Sequence, residues 1–124
     1  MIHLDTSFLI RALVRGSAED RHLRGWLREG EPIGISSIVW AEFLCGPVRP
    51  QEIELVNRIF GEPAPFGAQD ASAAANLFNQ SGRRRGSLVD CMIAATALRR
   101  NASLATANGE DFRRLTAAEL ELLP

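Results

Sequence analysis

The sequence predicts an α/β sandwich: a short parallel sheet of four or five strands with helices covering both faces. Two observations carry that expectation. Short apolar segments of strand character alternate with stretches of helical spacing, in the order strand, helices, strand, helices, strand, helices, strand. The chain of 124 residues is 46% hydrophobic and 23% charged, values that suit one globular domain over 1–124 and exclude a disordered, collagen-like or coiled-coil chain. There is no internal repeat and no low-complexity tract, and the pattern holds more helix than sheet.

The elements follow in order. MIHLD opens the chain as a strand, with Ile2 and Leu4 apolar. TSFLIRALVR places Phe8, Leu9, Ala12 and Leu13 at helical spacing, and Gly16 stops it. Residues 18–30 read as a second helix whose Leu23, Trp26 and Leu27 share a face, ended by Gly30. After Pro32, IGIS at 33–36 reads as a short buried strand. Ser36 or Ser37 then caps SIVWAEFLCG, which ends at Gly46 and Pro47.

Residues 50–60 form an amphipathic helix through Ile53, Val56 and Phe60. APF at 64–66 reads as a short strand, 69–82 as an Ala-rich helix, and RRRGS at 83–87 as a loop. LVDCMIAATALRR at 88–100 is the strongest helical stretch. SLATA at 103–107 is a strand, NGEDFRRL starts a short helix, and ELELLP forms an edge strand or a helical end.

Composition narrows the chemistry. Fourteen basic residues face 15 acidic ones, a net charge of −1, which excludes a generically basic nucleic-acid-coating protein but not an enzyme with local basic patches. All the basic residues are Arg. The lack of Lys excludes P-loop phosphate binding, Schiff-base chemistry and a Ser-Lys dyad, while Arg still offers bidentate phosphate contacts. Cys45 and Cys91 have no metal or redox spacing and are expected as reduced core thiols. His3 and His22 lie in no triad context. No apolar run reaches the roughly 20 residues that span a bilayer, and the acid in MIHLDTSFLI argues against a signal peptide, so the expectation is a cytosolic protein with no membrane contact. Any catalysis must rest on carboxylates.

The polar residues that matter stand at strand-to-helix junctions. Asp5 ends the first strand, Glu42 lies about two turns into the helix after the second, Asp90 is in the first turn of the 88–100 helix, and Asn108 and Asp111 follow the 103–107 strand. Ligand sites in parallel α/β folds gather outside the carboxyl ends of strands. Each residue also has an ordinary reading. Asp5 suits an N-cap. Asp90, three after Ser87, suits a capping box. Glu42 is harder to dismiss, because Val39, Trp40, Ala41, Phe43 and Leu44 around it are apolar and a buried carboxylate needs a partner or a metal. Two carboxylates about 4 Å apart repel by roughly 4 kcal/mol at a surface-like dielectric, so converging acids need protons or a cation. Oxygen donors without His or Cys suit Mg²⁺ or Mn²⁺, and such an ion beside a water suits phosphodiester hydrolysis.

LDTSFLI at 4–10, SSIVWAEFLCG at 36–46, RRGSLVDCMIAATAL at 84–98 and LATANGEDF at 104–112, in that order, resemble the PIN-domain ribonucleases and, within them, the VapC-type toxins of toxin–antitoxin pairs. The resemblance spans nearly the whole chain. It implies a PIN-like three-layer α/β/α sandwich and a Mg²⁺- or Mn²⁺-dependent endoribonuclease. Asp5, Glu42 and Asp90 match the family's first three acids, and the fourth position, often Asp, falls on Asn108, with Asp111 three residues on. In the implied mechanism Asp5 and Asp90 hold the metal, and Glu42 holds a second metal or orients the attacking water. Thr6 and Ser7 match a hydroxyl pair that positions metal or phosphate, beside the alternative of helix capping. The implied partners are an RNA substrate, a VapB-type antitoxin whose tail lies in a groove near the acids, and a second copy of the chain.

Arg83, Arg84 and Arg85 precede Asp90 and are read either as an RNA-phosphate grip or as a solvated loop. Arg99, Arg100, Arg113 and Arg114 are read as helix-end charges, and Trp26 and Trp40 as core or interface residues. Three other functions compete: a PIN-like RNA-processing nuclease without an antitoxin, a receiver domain, and a catalytically inactive binding module. The receiver domain needs a late-strand Lys that the chain lacks, and only Asn108 favours the inactive module.

Overall fold

In a computed structural model, which describes residues 1–118 and 120–124, the four strands form one parallel sheet in the order β2-β1-β3-β4. They are β1 (Ile2–Leu4), β2 (Ile33–Gly34), β3 (Ser103–Ala105) and β4 (Leu122–Leu123). The helices that flank it are α1 (Thr6–Ala12), α2 (Ala18–Arg28), α3 (Ser37–Cys45), α4 (Pro50–Phe60), α5 (Ala68–Gln80), α6 (Leu88–Arg99) and α7 (Gly109–Phe112), followed by a 3₁₀ turn at Arg113–Ala118. This is the expected α/β/α sandwich. Among the described residues, no helix is long and apolar enough to cross a membrane.

The sheet order sets the functional end. From central β1 the chain crosses through α1 and α2 to β2 on one side, then returns through α3–α6 to β3 on the other. The direction of winding therefore reverses between β1 and β3. At such a switch point the loops leaving adjacent strands diverge and open a crevice. Register pairs Leu4 with Ala105, so the residues that follow the two strands emerge side by side.

The core is aliphatic and small-residue rich. Leu4, Phe8, Leu9, Val39 and Leu104 are fully buried, each contributing roughly 1.5–3 kcal/mol of apolar transfer energy. Helix α6 is buried around most of its surface through Cys91, Ile93, Ala94, Ala95, Thr96 and Ala97, and the alanines let it pack closely on α5. Trp26 stacks on Phe8, with ring centroids 5.5 Å apart, and Trp40 stacks on Phe43.

Several sequence expectations shift. APF at 64–66 is only an isolated bridge from Ala64 to Ser36. Pro63 and Pro65 flank Ala64 and carry no amide donors, so the ladder cannot extend. IGIS shortens to a two-residue strand, and Ser36, not Ser37, caps α3 by accepting from the Val39 N–H at 3.2 Å. Cys45 is exposed rather than in the core, and Cys91 is buried; both are free thiols. The chain's tail supplies edge strand β4, and Glu119 within it lies outside the described residues.

Candidate active site

Asp5 stands where β1 hands over to α1, and several local requirements meet on its carboxylate. Oδ1 accepts from the Phe8 N–H at 2.7 Å, which caps α1. The Ser7 hydroxyl donates to the same carboxylate at 2.9 and 3.1 Å, and the Thr106 hydroxyl donates to Oδ2. The capping reading and the functional reading are therefore compatible. Asp5 is 3% exposed. Burial pushes its carboxyl above the usual range, the bonds from Thr106, Phe8 and Ser7 pull it back, and the nearby charge of Glu42 adds to the rise.

Thr106 was not apparent from the sequence as a site residue. It follows β3 as Asp5 follows β1, and its oxygen also accepts from the Asn108 N–H at 2.9 Å. The Ala107 N–H donates to the Ser7 hydroxyl at 3.2 Å, so the two loops are tied together directly. The signal was positional: Thr106 ends the strand beside β1, which only the sheet order reveals.

Glu42 is exposed, contrary to the burial expected from its apolar neighbours. Helix α3 buries Val39 and Phe43 but turns Ala41, Glu42 and Leu44 outward. With apolar residues on both faces, its sequence carried no contrast to mark the solvent side. The Thr6 hydroxyl donates to Glu42 Oε1, which joins α1 to α3 beside Asp5.

Asp90 is half-buried in the first turn of α6. The expected capping box is absent. Ser87 has φ −97° and ψ 0°, not the extended cap geometry, and its hydroxyl donates to the Arg84 carbonyl at 2.7 Å. Asp90 instead lies within electrostatic range of other acids. Its pKa is raised to about 6, first by burial, then by the charges of Asp111, Glu42 and Asp5, against which Arg114 acts. The four carboxylates thus act on one another electrostatically.

Asn108 is exposed and donates from Nδ2 to Asp111 Oδ2 at 2.6 Å. Asp111, not Asn108, reaches the cavity beside Asp90. That cavity, of about 160 Å³, is lined by Arg84, Arg85, Gly86, Ser87, Asp90, Asp111 and Arg114. Arg83 turns away: it donates to Asn79 Oδ1 and lies over the Phe78 ring, 5.6 Å from the centroid. Arg114 entered the sequence reading as a helix-end charge, yet it lines this cavity. Arg113 pairs with Glu110, and Arg99 and Arg100 both bind Asp70.

The donor set fits a hard divalent cation. It is all oxygen, and the carboxylate repulsion that adds to burial in raising the Asp90 pKa is what such an ion relieves. Among the described residues, no three His, Cys, Asp or Glu side chains stand close enough together to hold a metal ion, so the fit is one of donor chemistry and not of spacing. Neither His3, buried in β1, nor His22, stacked on Trp26, lines the cavity.

Residues 2–118 match the PIN domain family. The curated Ribonuclease VapC1 of Rickettsia felis is 33% identical, over 94% of this chain and 92% of its own length. VapBC2 of Rickettsia felis, solved bound to a DNA fragment from its promoter, superposes with a TM-score of 0.78 at 26% identity, covering 99% of this chain and 98% of that one. VapBC-1 of nontypeable Haemophilus influenzae does so with a TM-score of 0.73 at 26% identity, covering 99% and 97%.

Proposed function

Because the chain belongs to the PIN domain family, we propose that it is a divalent-cation-dependent endoribonuclease and the toxin of a VapBC-type pair, with residues 1–124 acting as one nuclease domain in the cytoplasm. The observation that carries this is the electrostatic convergence of Asp5, Glu42 and Asp111 on Asp90 at the switch point between β1 and β3. The 33% identity to a ribonuclease along nearly the whole chain supports the substrate class.

Asp5, Asp90 and Glu42 would hold Mg²⁺ or Mn²⁺, with Asp111 and its partner Asn108 at the edge. That ion supplies acidification of a bound water and neutralisation of a phosphate oxygen. The chain's own residues do the rest. Phe8, Ser7 and Thr106 hold the Asp5 carboxylate in one orientation and favour its ionised form. Thr6 fixes Glu42 at the rim, where its carboxylate orients the attacking water. Arg84 and Arg85 face the same cavity as Asp90 and suit contacts to RNA phosphates. With no His in the cavity, hydrolysis by a positioned water is favoured over His acid–base chemistry through a 2′,3′-cyclic phosphate.

The partner reading rests on the VapBC complexes among the similar structures. A mainly apolar groove of about 300 Å³, whose lining includes Leu13, Leu23, Leu27 and Leu55 and which Arg15, Asp20 and Arg24 also line, suits the tail of a VapB-type antitoxin. Exposed Ile10, Val14 and Leu44 are apolar surface of the kind a second copy covers. The test is cleavage of single-stranded RNA by the purified protein. Cleavage in Mg²⁺ or Mn²⁺ that stops in EDTA and in the presence of the antitoxin supports the proposal. Cleavage indifferent to EDTA removes the cation from it, and no cleavage of any RNA overturns it.

A further inference from the structure

The cavity beside Asp90 holds more cationic side chains than its acids account for. Arg84, Arg85 and Arg114 line it together with Asp90 and Asp111. The neighbouring arginines are committed elsewhere: Arg83 to Asn79 and the Phe78 ring, Arg113 to Glu110. Arg114 is different. It is half-buried on the 3₁₀ turn, and its Nε is buried without a hydrogen-bond partner among the described residues. No described protein group neutralises this guanidinium through its buried Nε, while Arg114 itself lines the open polar cavity, so the part of the fork that reaches the cavity is left for a ligand.

The complement of a guanidinium fork is a pair of oxyanions. The local acids do not supply it as an ion pair: Arg114 acts on Asp90 only through space, and Asp111 is already engaged by Asn108. We propose that Arg114 binds a phosphate group of the RNA strand in the cavity it shares with Arg84 and Arg85, and so seats the strand against the carboxylates. The 3₁₀ turn and the 83–87 loop thereby both contribute to one phosphate subsite. This rests on the reading of the site as an RNA phosphodiesterase and adds a substrate contact to it.

The test is steady-state cleavage of a single-stranded RNA in Mg²⁺ across a salt series, comparing wild type, Arg114→Ala, Arg114→Lys and Arg113→Ala. Arg114→Ala is expected to raise KM about tenfold or more, the worth of one charge-assisted contact. It is expected to leave kcat within about twofold, as loss of uniform binding does. The slope of log(kcat/KM) against log salt is expected to fall by about 0.7, one phosphate contact on a single strand. Arg114→Lys restores the slope and part of KM, and Arg113→Ala changes neither.

A purely structural counter-charge to Asp90 gives the opposite split: kcat falls and its pH profile moves while KM and salt slope stay. That result overturns the proposal. If Arg114→Ala does not fold, Arg114→Lys and Arg114→Gln carry the same comparison; equal KM and slope in the folded pair overturn the proposal, and loss of slope in Gln alone supports it. Wild-type protein that cleaves while Arg114→Ala is indistinguishable from it defeats this contact and leaves the nuclease reading standing. Wild-type protein that cleaves no RNA defeats both.

Discussion

The Thr106 hydroxyl, just past the end of β3, donates to the carboxylate of Asp5, just past the end of β1 and 101 residues earlier in the chain. Parallel pairing of Leu4 with Ala105 makes this bond geometrically available, and the reversal of winding between the two strands opens the crevice above it. Thr106 also accepts from the Asn108 N–H, so it links the first acid to the start of α7, which carries Asp111.

Thr106→Val keeps the shape of this residue and removes the hydroxyl that bonds Asp5 and the Asn108 N–H. The Asn108 N–H loses its partner and Asp5 Oδ2 keeps only the longer bond from Ser7, in a site where Thr106 is only 4% exposed. We expect a loss of about 1–3 kcal/mol of stability by chemical denaturation. We also expect a drop of roughly 10–100-fold in RNA cleavage, the usual effect of removing a partner that orients a metal-ligating group.

Asp5→Asn and Asp90→Asn remove a carboxylate charge at nearly constant volume. Cleavage is expected to fall by more than the roughly 10–100-fold of an outer-partner change, because the groups proposed to hold the cation are themselves altered. Thermal melting distinguishes this from unfolding. Asn at position 5 can still accept the Phe8 N–H cap, so Asp5→Asn is expected to stay folded.

The pH dependence of stability follows from Asp90. Its pKa is about 6 in the folded protein against 3.8 for an ordinary aspartate, so between those limits the folded state holds a proton that the unfolded state releases. Stability from this group therefore declines as pH rises from about 4 to 6. His3 acts in the opposite direction in an overlapping window. Burial, with Arg100 and the N-terminus, lowers its pKa to about 4, so its contribution grows with pH up to about 6.5. The difference between wild type and Asp90→Asn cancels the His3 effect. In the absence of divalent cation, the variant is expected to gain Tm relative to wild type as pH rises from 4 to 7. A constant difference across that range contradicts the assignment.

Asp70 holds α5 and α6 together away from the site. Its carboxylate, 3% exposed, accepts from Arg99 at 2.9 Å, Arg100 at 3.2 Å and the Gly67 N–H at 2.8 Å. Asp70→Asn keeps the size but leaves two partly exposed guanidinium groups without their counter-charge. Solvent screening of those arginines limits the cost, so we expect about 1–3 kcal/mol of destabilisation by denaturation. Cleavage per folded molecule is expected to be unchanged.

The architecture was legible because the strands are short apolar blocks bounded by clear helix caps, as at Asp5 and Ser36. The acids were legible as strand-end and first-turn residues, and family resemblance placed them in order. What escaped was set by tertiary pairing. Thr106 matters only because β3 lies beside β1. Arg99 and Arg100 look like helix-end charges until α5 brings Asp70 against them. Arg114 is one of two adjacent arginines, and only the fold separates the one that faces the cavity from the one paired with Glu110. Glu42 misled because α3 is apolar on its solvent side as well as its buried side.

The most direct test of the shared carboxylate site is a Mn²⁺ titration of the purified protein, followed by electron paramagnetic resonance of the free ion, in wild type, Asp5→Asn and Asp90→Asn. Saturable binding in wild type that weakens by at least about tenfold, or roughly 1.4 kcal/mol, in each variant is the predicted result. Binding of equal strength in wild type and both folded variants contradicts it.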